Sequence, residues 1–312
     1  MKVFLAGATG AIGRRLVPLL VDAGHDVVGS TRTPAKAESL RLAGVRGVVL
    51  EGHDGDAIMR SVADARPDVV IHQMTALGGE LDLRRFARTF AETNRLRTEG
   101  TDHLLAAAIE AGAKRFIVQS FTGLPNEQTG GPVKTEDDPL IADPPEAVRE
   151  TVDAIKHIEA VTLAARDLDA LALRYGGLYG PGTSLGKSGA MLEAIAKRKM
   201  PLVGAAGGVN SFIHVDDAAA ATALAVERGA PGLYNVVDDD PAPVSEWLPY
   251  LAELIGAKPP RRVPVWLAKL VVGEPGVSMM TTIRGSSNAK AKRELSWELK
   301  YPSWRQGFRE AL

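Results

Sequence analysis

Through the first 120 residues, short apolar runs rich in β-branched side chains alternate with longer stretches of helical periodicity. VFLAG (3–7) precedes IGRRLVPLLVDAG (12–24), HDVVGST (25–31) precedes AKAESLRLAG (35–44), and VRGVVLEG (45–52) precedes AIMRSVADA (57–65). DVVIHQM (68–74) then leads into a long helical stretch ending TDHLLAAAIEAGA (101–113), followed by KRFIVQS (114–120). Runs that are apolar throughout are strands buried on both faces. With helices between them they predict βαβ units and a parallel sheet.

From Phe121 to about Val148 the pattern breaks into TGLPNEQTGGPVKTEDDPLIADPPEA, too polar and too rich in Pro, Gly and Asp for a core. A loop of that length predicts a lid or a mobile functional segment. A helix is expected over about 149–166, then a buried strand running into a Gly-Pro turn in LDALALRYGGLYGPGTS (168–184). A helix near 189–199, a strand FIHV (212–215), a helix DDAAAATALAVERG (216–229) and a strand GLYNVVD (232–238) follow, with proline-separated helices to the end. No shift of composition marks a linker, so any second lobe grows from excursions off the sheet.

Composition narrows the functions. At 312 residues with 45% hydrophobic side chains the chain can bury a large core, and a formal net charge of -1 offers no field for nucleic acid or an anionic membrane. The absence of cysteine removes disulfides, thiolate nucleophiles and cysteine metal sites. No stretch approaches the roughly 18 uninterrupted apolar residues of a membrane span, and Met1 leads into a strand-like run, so the expected location is cytoplasmic. His214 and Asp216 have no third metal-like neighbour, and no metal site is expected. Asp216 and Asp217, at the start of a helix, read as N-cap and first-turn residues.

Gly7-Ala-Thr-Gly10-Ala-Ile-Gly13 follows the first strand and opens the first helix. Glycines in that context permit a tight turn and close backbone approach, and Gly13 lets the helix pack on the strand. The free N–H groups of the helix start then face a pyrophosphate. Dinucleotide choice is read at the end of the second strand, where a carboxylate would bond a ribose 2′-hydroxyl and an arginine would accept a 2′-phosphate. Here stand Thr31 and Arg32, with Arg14 and Lys36 nearby and no carboxylate, which argues for NADP over NAD.

The chain resembles the extended short-chain dehydrogenase/reductase family, which includes nucleotide-sugar epimerases and dehydratases. The resemblance rests on GATGAIG (7–13), DVVIH (68–72), EGTDHLLAAAIEAGAKRFIVQS (99–120), LRYGGLYGPG (173–182), FIHVDDAAAA (212–221), YNVVDDDP (234–241) and NAKAKRELSW (288–297). It implies an α/β fold: a Rossmann-type doubly wound parallel sheet in residues 1–175, completed by about 209–238, and a smaller C-terminal substrate lobe from 176–208 and 239–312. It also implies that Gly7, Thr9, Gly10, Ala11, Ile12 and Gly13 meet the pyrophosphate, that His53 and Asp54 lie by the adenine, and that Gln73, Met74 and Thr75 run along the cofactor. Asn94 resembles the family's helix asparagine but sits a few residues early. His72 reads as a structural histidine.

The family's chemistry uses a Ser or Thr at the end of the fifth strand, a Tyr, and a Lys four residues after the Tyr. The lysine lowers the tyrosine's pKa and holds the nicotinamide ribose. Here the hydroxyl position is Phe121, flanked by Ser120 and Thr122, and the tyrosine position four residues before Lys156 is Val152. Ser120, Thr122 and Lys156 are the catalytic candidates, with Lys156 also on the ribose or, as a solvated helix lysine, paired to Glu159. Tyr175, Tyr179 and Arg284 are substrate candidates, although Asn210-Ser211 replaces the arginine that grips a nucleotide diphosphate in many family members. The expected function is an NADP-dependent oxidoreductase acting on a small carbonyl or alcohol, forming a homodimer through its two long helices. The alternatives are an epimerase or dehydratase with tightly held NAD(P), and a non-catalytic NADP-binding sensor or scaffold.

Overall fold

The computed structural model describes residues 1–77, 82 and 85–312, with only the backbone described at Val271. The apolar runs become β1 (Lys2–Ala6), β2 (Asp26–Thr31), β3 (Arg46–Val49), β4 (Val69–His72), β5 (Arg115–Phe121), β6 (Asp169–Tyr175) and β7 (Gly232–Val236). They form a seven-stranded sheet in the order β7-β6-β5-β4-β1-β2-β3, every pairing parallel. The strand order reverses between β1 and β4. In an open parallel sheet that crevice, outside the carboxyl ends of the strands, is where ligands bind.

Helices cover both faces. On one side α1 (Gly13–Asp22) and α7 (Val215–Ala225) set Leu16, Leu20, Ala218 and Ala221 against Val3, Leu5, Ile117 and Leu173. On the other, α3 (Gly55–Ala65), α4 (Phe86–Glu110) and α5 (Glu146–Ala164) set Ile58, Leu104 and Ile158 against Phe4, Val70, Phe116 and Ala172. The helix α2 (Pro34–Leu42) starts on a Thr33 cap whose hydroxyl accepts from the Lys36 N–H. Two-sided burial is why these strands read as continuous apolar runs.

A third core belongs to the later chain, where α6 (Ala190–Ala196), α8 (Val244–Leu254), α9 (Val265–Thr281), α10 (Ala289–Leu295) and α11 (Trp304–Ala311) are found. Tyr179, Phe212, Trp247, Trp304 and Phe308 pack there, Phe212 edge-on to Trp247 at 5.3 Å. Among the described residues no helix is long and apolar enough to cross a membrane.

Two expectations change. The FIHV segment does not help complete the large sheet: residues 212–214 pair instead with 177–179, and from this part of the chain β7 alone joins the sheet, at the edge beyond β6. The polar stretch after β5 is not a free lid. Residues 133–134 pair in parallel with 285–286, Asn126 Nδ2 bonds the Arg284 carbonyl at 3.2 Å, and Arg284 Nε donates to the Gln128 carbonyl at 2.9 Å. Backbone groups too polar for a core are satisfied by this second chain segment, which composition could not name.

Candidate active site

The chain leaves β1 in a left-handed turn at Gly7, φ +86°. A Cβ there would stand 2.8 Å from the Gln73 carbonyl carbon, and one on Gly13 would stand 2.4 Å from the Gly7 carbonyl oxygen. The loop is thus closed onto both β4 and the helix, with no room for side chains. Helix α1 has no side-chain cap and no acidic residue in its first turn, which leaves its N-terminal dipole and N–H groups to an incoming anion. Thr9 Oγ1 meets Thr31 Oγ1 at 2.9 Å, tying the loop to the end of β2. Arg14 folds back over the loop, its Nε 3.3 Å from the Gly10 carbonyl. Arg32 projects from the same end of β2, exposed, and Lys36 is exposed one turn along. Close backbone and an uncapped helix fit a dinucleotide pyrophosphate.

The end of β4 forms the next wall. Gln73 donates from its backbone N–H to the Ala6 carbonyl at 2.8 Å and from Nε2 to Tyr175 Oη at 2.8 Å, and Tyr175 meets Thr222 Oγ1 at 2.6 Å. Burial pushes the Tyr175 phenol up to about 12, so it is a strut and a poor acid at neutral pH. Gln119 Nε2 holds the Met74 carbonyl at 2.8 Å, while Thr75 is half-buried. His72 accepts the Met74 N–H on Nδ1 at 3.1 Å and reaches the Leu96 carbonyl through Nε2 at 3.1 Å. Only the neutral Nε2–H tautomer satisfies both contacts.

Burial drives the His72 pKa from 6.5 to about 4. In the unfolded chain the ring takes a proton below about 6.5, and in the folded chain only near 4. The unfolded state therefore binds more protons in that window, and stability is lost as the pH falls through it. Urea unfolding should show about 2 kcal/mol less stability at pH 5 than at pH 7, a loss absent in His72→Gln once its own stability is taken as reference.

The chemistry expected beyond β5 meets a different environment. Ser120 is buried and donates to Glu159 Oε1 at 3.0 Å. Glu159 is not paired with Lys156: it forms a buried bidentate ion pair with Arg174, at 2.6 and 2.7 Å. Thr122 Oγ1 is shared between Ser286 Oγ at 2.5 Å and Asn126 Oδ1 at 3.3 Å. Both flanking hydroxyls are therefore engaged within the fold. Lys156, half-buried, reaches the Ala142 carbonyl at 3.3 Å. Between them Val152, fully buried, packs with Phe86, Leu124 and Val148, and Phe90, Phe121, Ile141 and Met279 close around the cluster. Phe86 and Phe90 stack at 4.4 Å. Where the resemblance calls for a phenol and a hydroxyl, the structure has an apolar, aromatic wall.

The remaining candidates have structural partners. Asp54 caps α3 by accepting from the Ala57 N–H at 2.9 Å, and His53 Nε2 meets Glu92 at 2.6 Å. Arg284 braces the polar segment as described. Tyr179 is buried edge-on to His214 and Phe308, its hydroxyl unpartnered and its pKa raised by burial. His214, rather than Asp216, caps α7, its Nδ1 accepting from the Asp216 N–H, while Asp216 pairs with Arg15 at 2.7 Å and Asp217 accepts the N–H groups of Lys300 and Tyr301. Sequence reasoning missed the Gln73–Tyr175–Thr222 chain and the assembly of Phe86, Phe90, Ile141 and Met279, which come from three separate stretches. The loss of two hydroxylic positions was the one legible hint of an apolar wall.

The model of the NAD dependent epimerase/dehydratase family matches residues 3–236. A 3-diazoavenalumate denitrifying reductase from a Streptomyces species is 43% identical over 98% of this chain and 99% of that one. A 2-alkyl-3-oxoalkanoate reductase from Stenotrophomonas maltophilia is 28% identical, with 82% of this chain and 76% of that one covered. The UDP-glucose 4-epimerase of Thermus thermophilus in complex with NAD superposes with a TM-score of 0.74 at 23% identity, covering 100% of this chain and 97% of that one.

Proposed function

The chain belongs to the NAD dependent epimerase/dehydratase family and is an enzyme of NAD(P)-dependent oxidoreductase or epimerase type. From that premise we propose that it is an NADP-dependent reductase whose acceptor needs no acid from the protein, with an apolar diazo-bearing carboxylate as substrate class.

One observation carries this reading: at the two positions where the resemblance calls for a hydroxyl and a phenol stand Phe121 and Val152, and among the described residues both sit in one apolar cluster with Phe86, Phe90, Leu124, Val148, Ile141 and Met279. Reducing a ketone to an alcohol consumes a hydride and a proton, and the proton must come from a positioned acid. An aryl diazonium cation differs. Hydride adds to its terminal nitrogen, the positive charge is quenched, and the resulting diazene loses N2 with its hydrogen ending on carbon by exchange through water. The balance is one diazonium and one NADPH giving one arene, N2 and NADP+, with no net proton. The name of the relative at 43% identity, a denitrifying reductase of a diazo carboxylate, supports this class.

Bound nicotinamide would supply the hydride, and the protein's own residues would orient and shield. The Gly7–Gly13 loop and α1 would hold the pyrophosphate, and Arg32 with Arg14 would receive the 2′-phosphate. The Gln73–Tyr175–Thr222 chain braces the wall at the end of β4. Phe121 and Phe90, the partly exposed aromatic members of the cluster, would present flat apolar faces to a conjugated substrate, with Val152 and Phe86 buried behind them.

A second reading, reduction of an oxo acid, is favoured by the relative that is a 2-alkyl-3-oxoalkanoate reductase. NADPH oxidation measured with diazotised 4-aminocinnamate and with 3-oxoalkanoates decides between them. Turnover of the diazonium and none of the ketone is expected, and the reverse would replace the first reading by the second. Arg32→Ala should weaken NADPH binding about tenfold, the cost of one phosphate contact, and leave NADH unchanged. Equal loss for both, in fluorescence titration, would remove the NADP preference.

A further inference from the structure

Arg97 is 6% exposed and lies on α4 within one turn of Asn94 and of Thr101. Asn94 fixes the direction of that face, donating from Nδ2 to Thr151 Oγ1 of α5 at 3.0 Å. Among the described residues the guanidinium has no counterpart there. Its Nε and Nη1 are fully enclosed and bonded to nothing among the described residues, and the same holds for Asn94 Oδ1 and Thr101 Oγ1. Burial alone acts on its pKa, pushing it down to about 10, with no carboxylate near enough to raise it. It therefore stays charged at neutral pH. His72, at the end of β4, is close enough that this charge disfavours its protonation.

Interiors tolerate a cation poorly unless an anion completes it. Three of these four unpartnered atoms can donate: Arg97 Nε and Nη1 and the Thr101 hydroxyl. Rotating the Asn94 amide, so that Thr151 donates to Oδ1, adds Nδ2 to the set. Nε–H and the Nη1 amino group point to different sides of the guanidinium, so they offer separate charge-assisted donors that the oxygens of one carboxylate can accept singly. Water beside them would leave the charge unbalanced.

We propose that Arg97, with Asn94 and Thr101, forms a carboxylate-binding site between α4, α5 and the end of β4, filled during turnover by the substrate's carboxylate. The identity of the ligand as substrate rests on the reductase reading above; the existence of the site does not.

Two measurements separate these. In thermal unfolding with sodium formate as probe, the wild type should gain stability hyperbolically, and Arg97→Met should lack the gain, salt screening being common to both. In NADPH oxidation, the wild type should favour diazotised 4-aminocinnamate over its primary amide by about 10²-fold in KM, and Arg97→Met should erase that preference. Arg97→Lys, which keeps the charge without the fork, should recover part of both effects and shows that loss is not a folding failure. Formate stabilisation without substrate preference would support the site with a resident free anion as its ligand. Absence of turnover on any acceptor would sink the reductase reading while the formate titration still decides on the site. No formate effect and no acid-over-amide preference would overturn the proposal.

Discussion

Alanine at position 13 should raise the NADPH dissociation constant by about 10²-fold or more, read by fluorescence titration of the purified variant. The added Cβ would lie 2.4 Å from the Gly7 carbonyl oxygen and 2.7 Å from the carbonyl carbon of Ala8, all rigid backbone, so the loop must open. Opening moves the turn away from α1 and withdraws the N–H groups that would face the pyrophosphate. Overpacking of this kind costs about 1–3 kcal/mol, and the upper half of that range is one to two decades in affinity before any contact to the ligand is lost. A folded Gly13→Ala protein with undiminished NADPH affinity would show that the loop does not hold the cofactor.

Glu159→Ala should lower the unfolding free energy by about 3–5 kcal/mol, the usual result of removing one partner of a buried pair. The carboxylate accepts three hydrogen bonds from buried groups, one from Ser120 and two from Arg174, and alanine would leave that guanidinium and hydroxyl unpaired. The double variant Glu159→Leu with Arg174→Met should be much closer to the wild type, because the desolvation cost disappears with both charges. Urea titrations of the three proteins give the comparison. A double variant as unstable as Glu159→Ala would mean that packing, not charge, dominates at this position.

The sheet was legible because two-sided burial leaves its trace in the central strands: VFLAG, DVVIH and KRFIVQS show no polar alternation, and the glycine loop follows β1 directly. The early part of α4 was less so, since in AETNRLRTEG the charges of Arg95 and Arg97 look alike. In the fold Arg95 pairs on the surface with Glu99, whereas Arg97 is buried. Helical periodicity alone does not tell a solvated arginine from an enclosed one. The acid position was half legible: Val152 and Phe121 announced a missing hydroxyl. That Ser120 would turn to Glu159, and Thr122 to Ser286, depended on Arg174 and on a segment 164 residues away. A linear pattern carries no register between such distant pieces. The polar stretch after β5 misled for the same reason, its partner being residues 284–286.

Hydride transfer without a protein acid is the central claim, and the pH dependence of turnover tests it most directly. With NADPH and diazotised 4-aminocinnamate the enzyme should release one N2 per NADPH oxidised, with a kcat/KM that does not fall as pH rises from about 6 to about 8. A kcat/KM that falls with rising pH, or oxidation seen only with a ketone, would contradict it and require an acid that the apolar cluster around Val152 does not contain.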